Sequence, residues 1–465
     1  MRSDRTKQDA GITLDQFIRY SGGSSRIPRK ERSGRINAVW NDSRKVGRND
    51  VFVALKTEND DGHAYVTNAL AQGALAALVA TGKLSLYSGE ARSKLIDVRD
   101  PLKSLQAIAS RYRATLRCPF VGITGSSGKT TARTFVTAVL GKDRLVGETR
   151  GNWNNHIGVP LSLLRFSGKE QVGVLEMGAN HTREIHVLSK IIRPDIGIIT
   201  NIGYAHIGYF GSLPNILKAK FEIIDGMKKT GMLLLNGDDA LLVRRAKSAK
   251  QRVVFFGMSK RCQVRAEGIR LSGSGHVVFS VNGDPFEIPM YGRHFVHNAL
   301  IAIAVAKEFG IGKDDIDAAF ATLAPVSMRG AVQTKKGATF IVDCYNANPS
   351  SMKSGISLLS DVARSGPKVA IVGDMLELGR FSSKLHVSLG RNLASAGVDR
   401  IIAVGNFAAR VAQGAQSAGM DARKTTTAAT SAEAVSLAKK LVRRGDTVLL
   451  KGSRGIHLET VLEGF

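Results

Sequence analysis

Gly122-Ile-Thr-Gly-Ser-Ser-Gly-Lys-Thr-Thr131 follows the apolar start Pro119-Phe-Val121 and opens onto a helical pattern. A strand that turns through glycines into a helix is what a chain needs to cradle phosphate. Backbone N–H groups of the turn and the positive end of the helix bind phosphate oxygens, Lys129 adds a point charge, and a hydroxyl of Thr130 or Thr131 can reach Mg²⁺. The general phosphate loop wants a glycine five positions before Gly128, where Ile123 stands, so Gly125 is the first glycine that can serve the turn. The reading is a nucleotide-using enzyme; the bland alternative is a Gly-rich strand-to-helix turn.

Outward from this loop, apolar runs alternate with helical patterns: Val172-Gly-Val-Leu175, Ile196-Gly-Ile-Ile-Thr200, Met232-Leu-Leu-Leu235 and Val253-Val-Phe-Phe256. Such alternation predicts an α/β fold with a mostly parallel sheet wrapped by helices. Upstream, Val51-Phe-Val-Ala-Leu55, Ala76-Ala-Leu-Val-Ala80 and Leu95-Ile-Asp-Val98 predict a small α/β unit that ends at the turn signal Asp100-Pro101. Downstream of Pro325 a new series begins, with Phe340-Ile-Val342, Val369-Ala-Ile-Val372, Ile401-Ile-Ala-Val404 and Thr447-Val-Leu-Leu450, which predicts a second open, Rossmann-like sheet. Three units are therefore expected, over 1–100, 101–324 and 325–465. A chain of 465 residues has length for about two to four such domains.

Composition narrows the setting. No apolar run approaches the roughly 18 residues of a spanning helix, and the start Met-Arg-Ser-Asp-Arg-Thr-Lys-Gln-Asp lacks an apolar signal region, so cytoplasmic residence without a membrane span is expected. Cys118, Cys262 and Cys344 are scattered without metal-ligand spacing and are read as reduced thiols. The net charge of +27 raises nucleic acid as a partner. Only Arg26-Ile-Pro-Arg-Lys-Glu-Arg-Ser-Gly-Arg35 is locally basic, however, and it lacks aromatics for base stacking. A basic surface that draws in anionic substrates is the first reading, and a nucleic-acid patch the second.

In open parallel sheets ligands bind outside the carboxyl ends of the strands. Glu176 ends one apolar run and His206 follows another, so both are expected on the edge that carries the phosphate loop. A carboxylate and an imidazole there can hold a divalent cation beside phosphates; a satisfied core histidine is the other reading of His206. The segment Ser212–Met227 predicts a helix, with Ser212 as cap and Pro214 in the first turn. At about 100° per residue, Leu213, Ile216, Leu217, Ile223, Ile224 and Met227 form one apolar stripe with Lys220 at its centre. A lysine there must snorkel, lose its charge, find an anion or be chemically altered. One such alteration is reaction with carbon dioxide to a carbamate, which turns a cation into an oxygen ligand for Mg²⁺.

Thr124-Gly-Ser-Ser-Gly-Lys-Thr-Thr131, Gly151-Asn-Trp-Asn-Asn-His-Ile-Gly-Val-Pro160, Glu176-Met-Gly-Ala-Asn-His181 and Ala219-Lys-Phe-Glu-Ile223 together resemble the central ATPase domain of the Mur ligases. Asp343-Cys-Tyr-Asn-Ala-Asn-Pro-Ser-Ser-Met352, Gly373-Asp-Met-Leu-Glu-Leu-Gly379 and Lys451-Gly-Ser-Arg454 resemble the branch that joins D-alanyl-D-alanine to UDP-N-acetylmuramoyl-tripeptide. The resemblance implies ATP and two Mg²⁺ ions. Gly125, Ser126, Ser127, Gly128, Lys129, Thr130 and Thr131 would take the phosphates, and Thr130 the first Mg²⁺. Glu176, His206 and carbamylated Lys220 would hold the second. Asn298 would contact adenine, and Arg329 and Asp343 would close over phosphates and ribose. Asp42-Ser43-Arg44 and Asp61-Gly62-His63 would meet the uridine nucleotide, Asn154 and Asn155 the sugar-peptide, and Tyr345, Asn346 and Asn348 the incoming dipeptide. Lys129, Lys220, His206 and Arg329 would carry the catalytic load.

The chain departs from the family pattern at Phe295, often Asn, and at Cys344, usually Ser. Neither departure touches the implied metal ligands. The implied chemistry activates a carboxylate as an acyl phosphate, which an amine then attacks. Rivals are a sibling ligase that adds the third peptide residue, folylpolyglutamate synthetase and, from another class, a nucleic-acid-binding ATPase. No nucleic-acid partner is expected, and the chain is expected to be a monomer.

Overall fold

The computed structural model describes residues 10–363 and 366–465; Met1–Asp9, on which the absence of a signal was read, lies outside the described residues. Three sheets organise the chain. The first runs Ser24–Ser25, Leu95–Val98, Ala76–Ala80, Val51–Val53, Val39–Trp40, parallel except for the first pair. The second has nine strands in the order Asp284–Ile288, Val277–Val281, Val264–Leu271, Arg252–Gly257, Met232–Asn236, Ile196–Ile199, Phe120–Thr124, Val172–Glu176, Val146–Glu148. It is parallel from Val146–Glu148 as far as Val264–Leu271, and the last three strands form an antiparallel meander. The third orders Ala331–Lys335, Ala338–Val342, Thr447–Lys451, Lys368–Gly373, Arg400–Val404, Thr425–Ala428, with only the first pair antiparallel.

The apolar runs become strands because both faces of these sheets are covered, which makes a continuous apolar segment stable. Every residue of Phe120–Thr124, Val172–Glu176 and Met232–Asn236 is buried. The meander was not anticipated. Val264–Leu271 and Val277–Val281 bury roughly alternate residues, a half-solvated pattern that interrupts the expected run of helices and parallel strands.

Asp100-Pro101 starts a helix instead of an irregular turn. The Asp100 carboxylate accepts the Lys103 amide at 3.0 Å, and Pro101 opens helix Pro101–Thr115. That helix packs on Leu14–Ser21 from the first unit and on Gly158–Leu163 and Glu184–Ile192 from the second, so it joins the two. A second joint is aromatic: Trp40 meets Trp153 edge to face at 5.9 Å, with the Arg150 guanidinium over both rings. The predicted helix over 212–227 forms over Leu213–Phe221, capped by Ser212, and tightens into a 3₁₀ turn over Glu222–Gly226. Among the described residues no helix is long and apolar enough to cross a membrane.

Candidate active site

The strand Phe120–Thr124 and the helix Lys129–Leu140 hold the phosphate-loop candidate between them. Gly125 adopts φ +144°, and a Cβ there would lie 1.9 Å from Thr200 Oγ1, so only glycine fits. Gly128 precedes the helix at φ +78°, beside the Asn298 side chain, whose Oδ1 would stand 3.6 Å from a Cβ on Gly128. The next strand's end braces the loop. Asn201 accepts the Ser126 amide on its carbonyl and the Ser127 amide on Oδ1, each at 3.0 Å, and the Thr200 hydroxyl donates to the Ser127 carbonyl at 2.6 Å. First-turn amides of a helix have no acceptor within it, and here that turn borders a cavity.

The cavity, about 400 Å³, is lined by Ser126, Ser127, Gly128, Lys129 and Thr130 from the loop. Asn154, Asn155 and His206 come from neighbouring strand ends, and Arg329, Tyr345, Asn346 and Asn348 from the third unit. Most of the predicted phosphate, sugar-peptide and dipeptide residues thus share one wall-to-wall space. Lys129 Nζ donates to the Gly125 carbonyl at 2.9 Å. Burial first, and the Arg329 cation, push its pKa down, against the pull of Glu176. Two cations facing one cavity make an anion welcome. Arg329 lies over the Tyr345 ring at 4.1 Å, which holds the guanidinium at the rim.

Glu176 is fully buried beneath the loop. Its Oε2 accepts the Thr130 hydroxyl at 3.1 Å and the Asn154 amide at 3.4 Å. Its Oε1 is 2.8 Å from Arg133 Nε without an aligned hydrogen bond. Arg133, which sequence reading passed over, also pairs with Glu148 at 3.1 Å and donates to the Thr149 carbonyl. Lys220 is 1% exposed. Its Nζ donates to the Ala179 carbonyl at 3.3 Å, and Ala179 itself lines the cavity. Burial, reinforced by the Lys129 cation, lowers the Lys220 pKa to about 7, so a large neutral fraction exists at physiological pH.

Whether these residues suit Mg²⁺ can be judged from the donor set. Among the described residues no cluster of three or more His, Cys, Asp or Glu stands ready for a metal. Thr130 and His206 nonetheless line the cavity, Glu176 lies directly behind Thr130 and Asn154 through Oε2, and Mg²⁺ beside phosphates needs few protein ligands. A carbamate on Lys220 would add the missing oxygens. The set fits a cation that arrives with phosphate.

Other predicted residues stand apart from the cavity lining. Asp343 pairs with Lys451, which is 1% exposed, at 2.6 Å; burial raises its pKa while the lysine opposes that. Asp42 is gripped by Arg44 through Nε at 2.8 Å and NH2 at 3.0 Å, chiefly which lowers its pKa to about 2. Ser43 is buried between them. Asp61 accepts the His63 amide, and its pKa falls chiefly through the close contact with His63 Nδ1 at 2.6 Å. Nε2 of His63 accepts the Ala80 amide at 3.0 Å. With both ring nitrogens engaged, His63 holds the Asp61-Gly62 loop in place. Within the cavity lining, Asn155 spends Oδ1 on the Ile157 and Gly158 amides, and Asn348 caps the following helix through the Ser351 amide.

Phe295 is buried and stacks on Phe135 of the phosphate-loop helix at 6.4 Å. Cys344 is buried and its thiol is pushed up to about 12, chiefly by burial, so it stays neutral. Cys118, Cys262 and Cys344 are all free. Sequence reading also missed Asn152, His156, Gly178, Asn180 and Glu184 in the cavity lining. Four of these lie inside the quoted stretches 151–160 and 176–181, so proximity to a motif was the available signal.

The chain matches known proteins along most of its length. Family models match at residues 123–306 (Mur ligase middle domain), 328–454 (Mur ligase, glutamate ligase domain) and 35–113 (Mur ligase family, catalytic domain). The chain is 35% identical to the UDP-N-acetylmuramoyl-tripeptide--D-alanyl-D-alanine ligase of Bacillus subtilis, over 92% of this chain and 93% of that one. It is similar to the crystal structure of MurF from Acinetobacter baumannii, with TM-score 0.87, 31% identity and coverage of 97% and 98%. It is also similar to the MurF ligase of Thermotoga maritima, solved in complex with ADP, with TM-score 0.80, 28% identity and coverage of 92% and 96%.

Proposed function

The chain belongs to the Mur ligase family, and from that premise we propose that it joins D-alanyl-D-alanine to UDP-N-acetylmuramoyl-tripeptide at the expense of ATP, in the cytoplasm, for peptidoglycan synthesis. The observation that carries this reading is the shared cavity, where the phosphate loop 126–130, Asn154 and Asn155 meet Arg329, Tyr345, Asn346 and Asn348. A ligase must bring a nucleotide, a carboxylate and an amine to one place, and three sets of polar groups converge there.

A carboxylate at neutral pH resists amine attack, so it must first gain a leaving group. Its oxygen attacks the γ-phosphorus of ATP, ADP departs, and an acyl phosphate forms. The dipeptide amine then attacks the carbonyl carbon, a tetrahedral intermediate collapses, the nitrogen loses its proton and phosphate leaves. Lys129 and Arg329 face the transferring phosphoryl group and offset its charge, a task in which positioning and electrostatics supply most of the acceleration. First-turn amides at Lys129 and Thr130 hold the phosphate chain. Asn298, beside Gly128, would contact the adenine. Asp343, paired with Lys451, would take the ribose.

Thr130, Glu176, His206 and Lys220 are the groups that would hold Mg²⁺, which when bound neutralises phosphate charge. To serve there, Lys220 in its neutral form adds carbon dioxide at Nζ and releases a proton, giving a carbamate. Asp42-Ser43-Arg44 and Asp61-Gly62-His63 would meet the uridine nucleotide. Water must be kept from the acyl phosphate, and the third unit, which supplies Arg329 and Tyr345, is the part that covers it.

Phosphate release measured with ATP, the UDP-linked tripeptide and D-Ala-D-Ala tests the proposal. Release is expected only with all three, with a product heavier by the dipeptide. Running lysine- and diaminopimelate-containing tripeptides side by side identifies the third residue. Activity with a single diamino acid on the shorter precursor, and none with the dipeptide, would overturn the reading.

A further inference from the structure

The loop that carries His206 and the loop that carries Glu377 come from the second and third units, and they meet at the edge of the cavity. Glu377 Oε2 stands 2.6 Å from His206 Nδ1. The Glu377 carbonyl accepts the Gly208 amide at 2.9 Å. The backbones press together here: a Cβ on Gly208 would lie 2.8 Å from Glu377 O, and one on Gly379 would lie 3.0 Å from the Gly208 Cα. His206 and Glu377 both hold left-handed backbone, with φ 57° and 64°. Non-glycine residues keep that conformation where surrounding contacts require it, and such positions concentrate at functional sites.

The two ends of the imidazole differ. Nδ1 is buried against Glu377, within ion-pair distance but off the line of a hydrogen bond. The side chain as a whole is 22% exposed and lines the cavity, which leaves Nε2 as the ring nitrogen available to a ligand. Polar contacts of this kind commonly tighten when a site is filled. A carboxylate behind a metal-holding imidazole fixes its tautomer and ring orientation and raises its basicity.

We propose that Glu377 is a positioning residue: from the third unit it holds His206 by Nδ1, so that Nε2 is set for the cation only when the third unit is docked. Docking and ring orientation become one event, because the same residue grips Gly208 through its backbone. Cation binding then favours the docked arrangement, which is also the one that brings Arg329 and Tyr345 over the phosphates. The inference rests on the proposed role of His206 toward Mg²⁺.

The test reads Mn²⁺ binding without turnover, by electron paramagnetic resonance, in the full-length protein with a non-hydrolysable ATP analogue. Glu377→Ala is expected to weaken Mn²⁺ binding about 10-fold or more. Glu377→Gln, which keeps an acceptor, should lose less. Adding Glu377→Ala to His206→Ala should cost nothing further, because the carboxylate acts through that ring. Glu377→Gln carries the same double-variant comparison if the alanine variant does not fold. Should His206→Ala weaken Mn²⁺ binding while Glu377→Ala does not, or should the two losses add, the positioning role is overturned and the metal reading of His206 stands. Should His206→Ala leave Mn²⁺ binding unchanged, the metal reading falls and the role of Glu377 with it.

Discussion

At the scale of single residues, Lys220 shows how a fold can oblige a side chain to change its chemistry. The helix Leu213–Phe221 aims it inward, where it is 1% exposed and lies 5.6 Å from the centre of the Phe210 ring. A charge held there pays desolvation, which is why its pKa falls to about 7 and why a neutral, nucleophilic amine is at hand. Lys220→Ala is expected to lower kcat for ligation on the order of 100-fold or more, the scale of losing a group that organises transition-state charge. Formate or acetate should restore part of it by supplying the missing oxygens; full activity of the variant without rescue would remove the carbamate role. His294 gives a pH prediction. Its Nδ1 is buried without a partner, and burial first, then Lys451 and His297, lower its pKa to about 4. Since the unfolded imidazole titrates near 6.5, the unfolded chain binds the extra proton between pH 6.5 and about 4. Stability therefore falls as pH drops through that window. His294→Phe should flatten this limb of the unfolding-midpoint profile, by on the order of 2 kcal/mol once partial exposure is allowed for.

At the scale of elements, the phosphate loop is the segment with least freedom. Gly125→Ala would drive a methyl into Thr200 Oγ1 at a backbone angle that disfavours side chains. It is expected to cost about 2 kcal/mol or more of stability and to raise KM for ATP at least about 10-fold, because the same displacement moves the amides of the first helical turn. Gly419, at φ +90° with open space around it, is the control. Gly419→Ala should cost only about 1 kcal/mol with KM unchanged. This loop was legible in the sequence because its constraints are local: glycines at the turn, a buried strand before it, a helix after it. The parallel strands were legible for a similar reason, since burial on both faces leaves a continuous apolar run. The meander at Val264–Ile288 was not, because half-solvated strands mix polar and apolar residues and Val264–Leu271 carries a register shift between Glu267 and Arg270. Helix Leu213–Phe221 was read two turns too long, since the apolar stripe continues through the 3₁₀ turn that follows. In the site, residues inside motifs could be named but not their partners: Arg133 beside Glu176 lies outside the quoted stretches, and Lys451 and Glu377, though inside them, are not tied to Asp343 and His206 by any local pattern. Those are pairings across the fold, and no local pattern announces them.

At the scale of the whole molecule, the net charge of +27 asks for a consequence that pairwise contacts do not give. Both nucleotide substrates of the proposed reaction are anions, and a cationic surface around a polar cavity raises their local concentration and encounter rate. At about 0.15 M salt the screening length is roughly 8 Å, so this long-range part is weakened while contacts inside the cavity are screened much less. Raising KCl from about 20 mM to about 200 mM is therefore expected to lower kcat/KM for the UDP-linked substrate several-fold, with kcat little changed. Uncharged sucrose at equal osmolality should not reproduce the effect. The dipeptide, zwitterionic and without net charge, provides an internal comparison: its KM should move much less than that of the nucleotide substrates. A nucleic-acid role for the same charge predicts something different, ATP hydrolysis stimulated by added RNA or DNA and a steep loss of that stimulation with salt. If KM for both nucleotides were indifferent to salt and polynucleotides raised the hydrolysis rate, the charge would belong to that second role and the steering argument would fail.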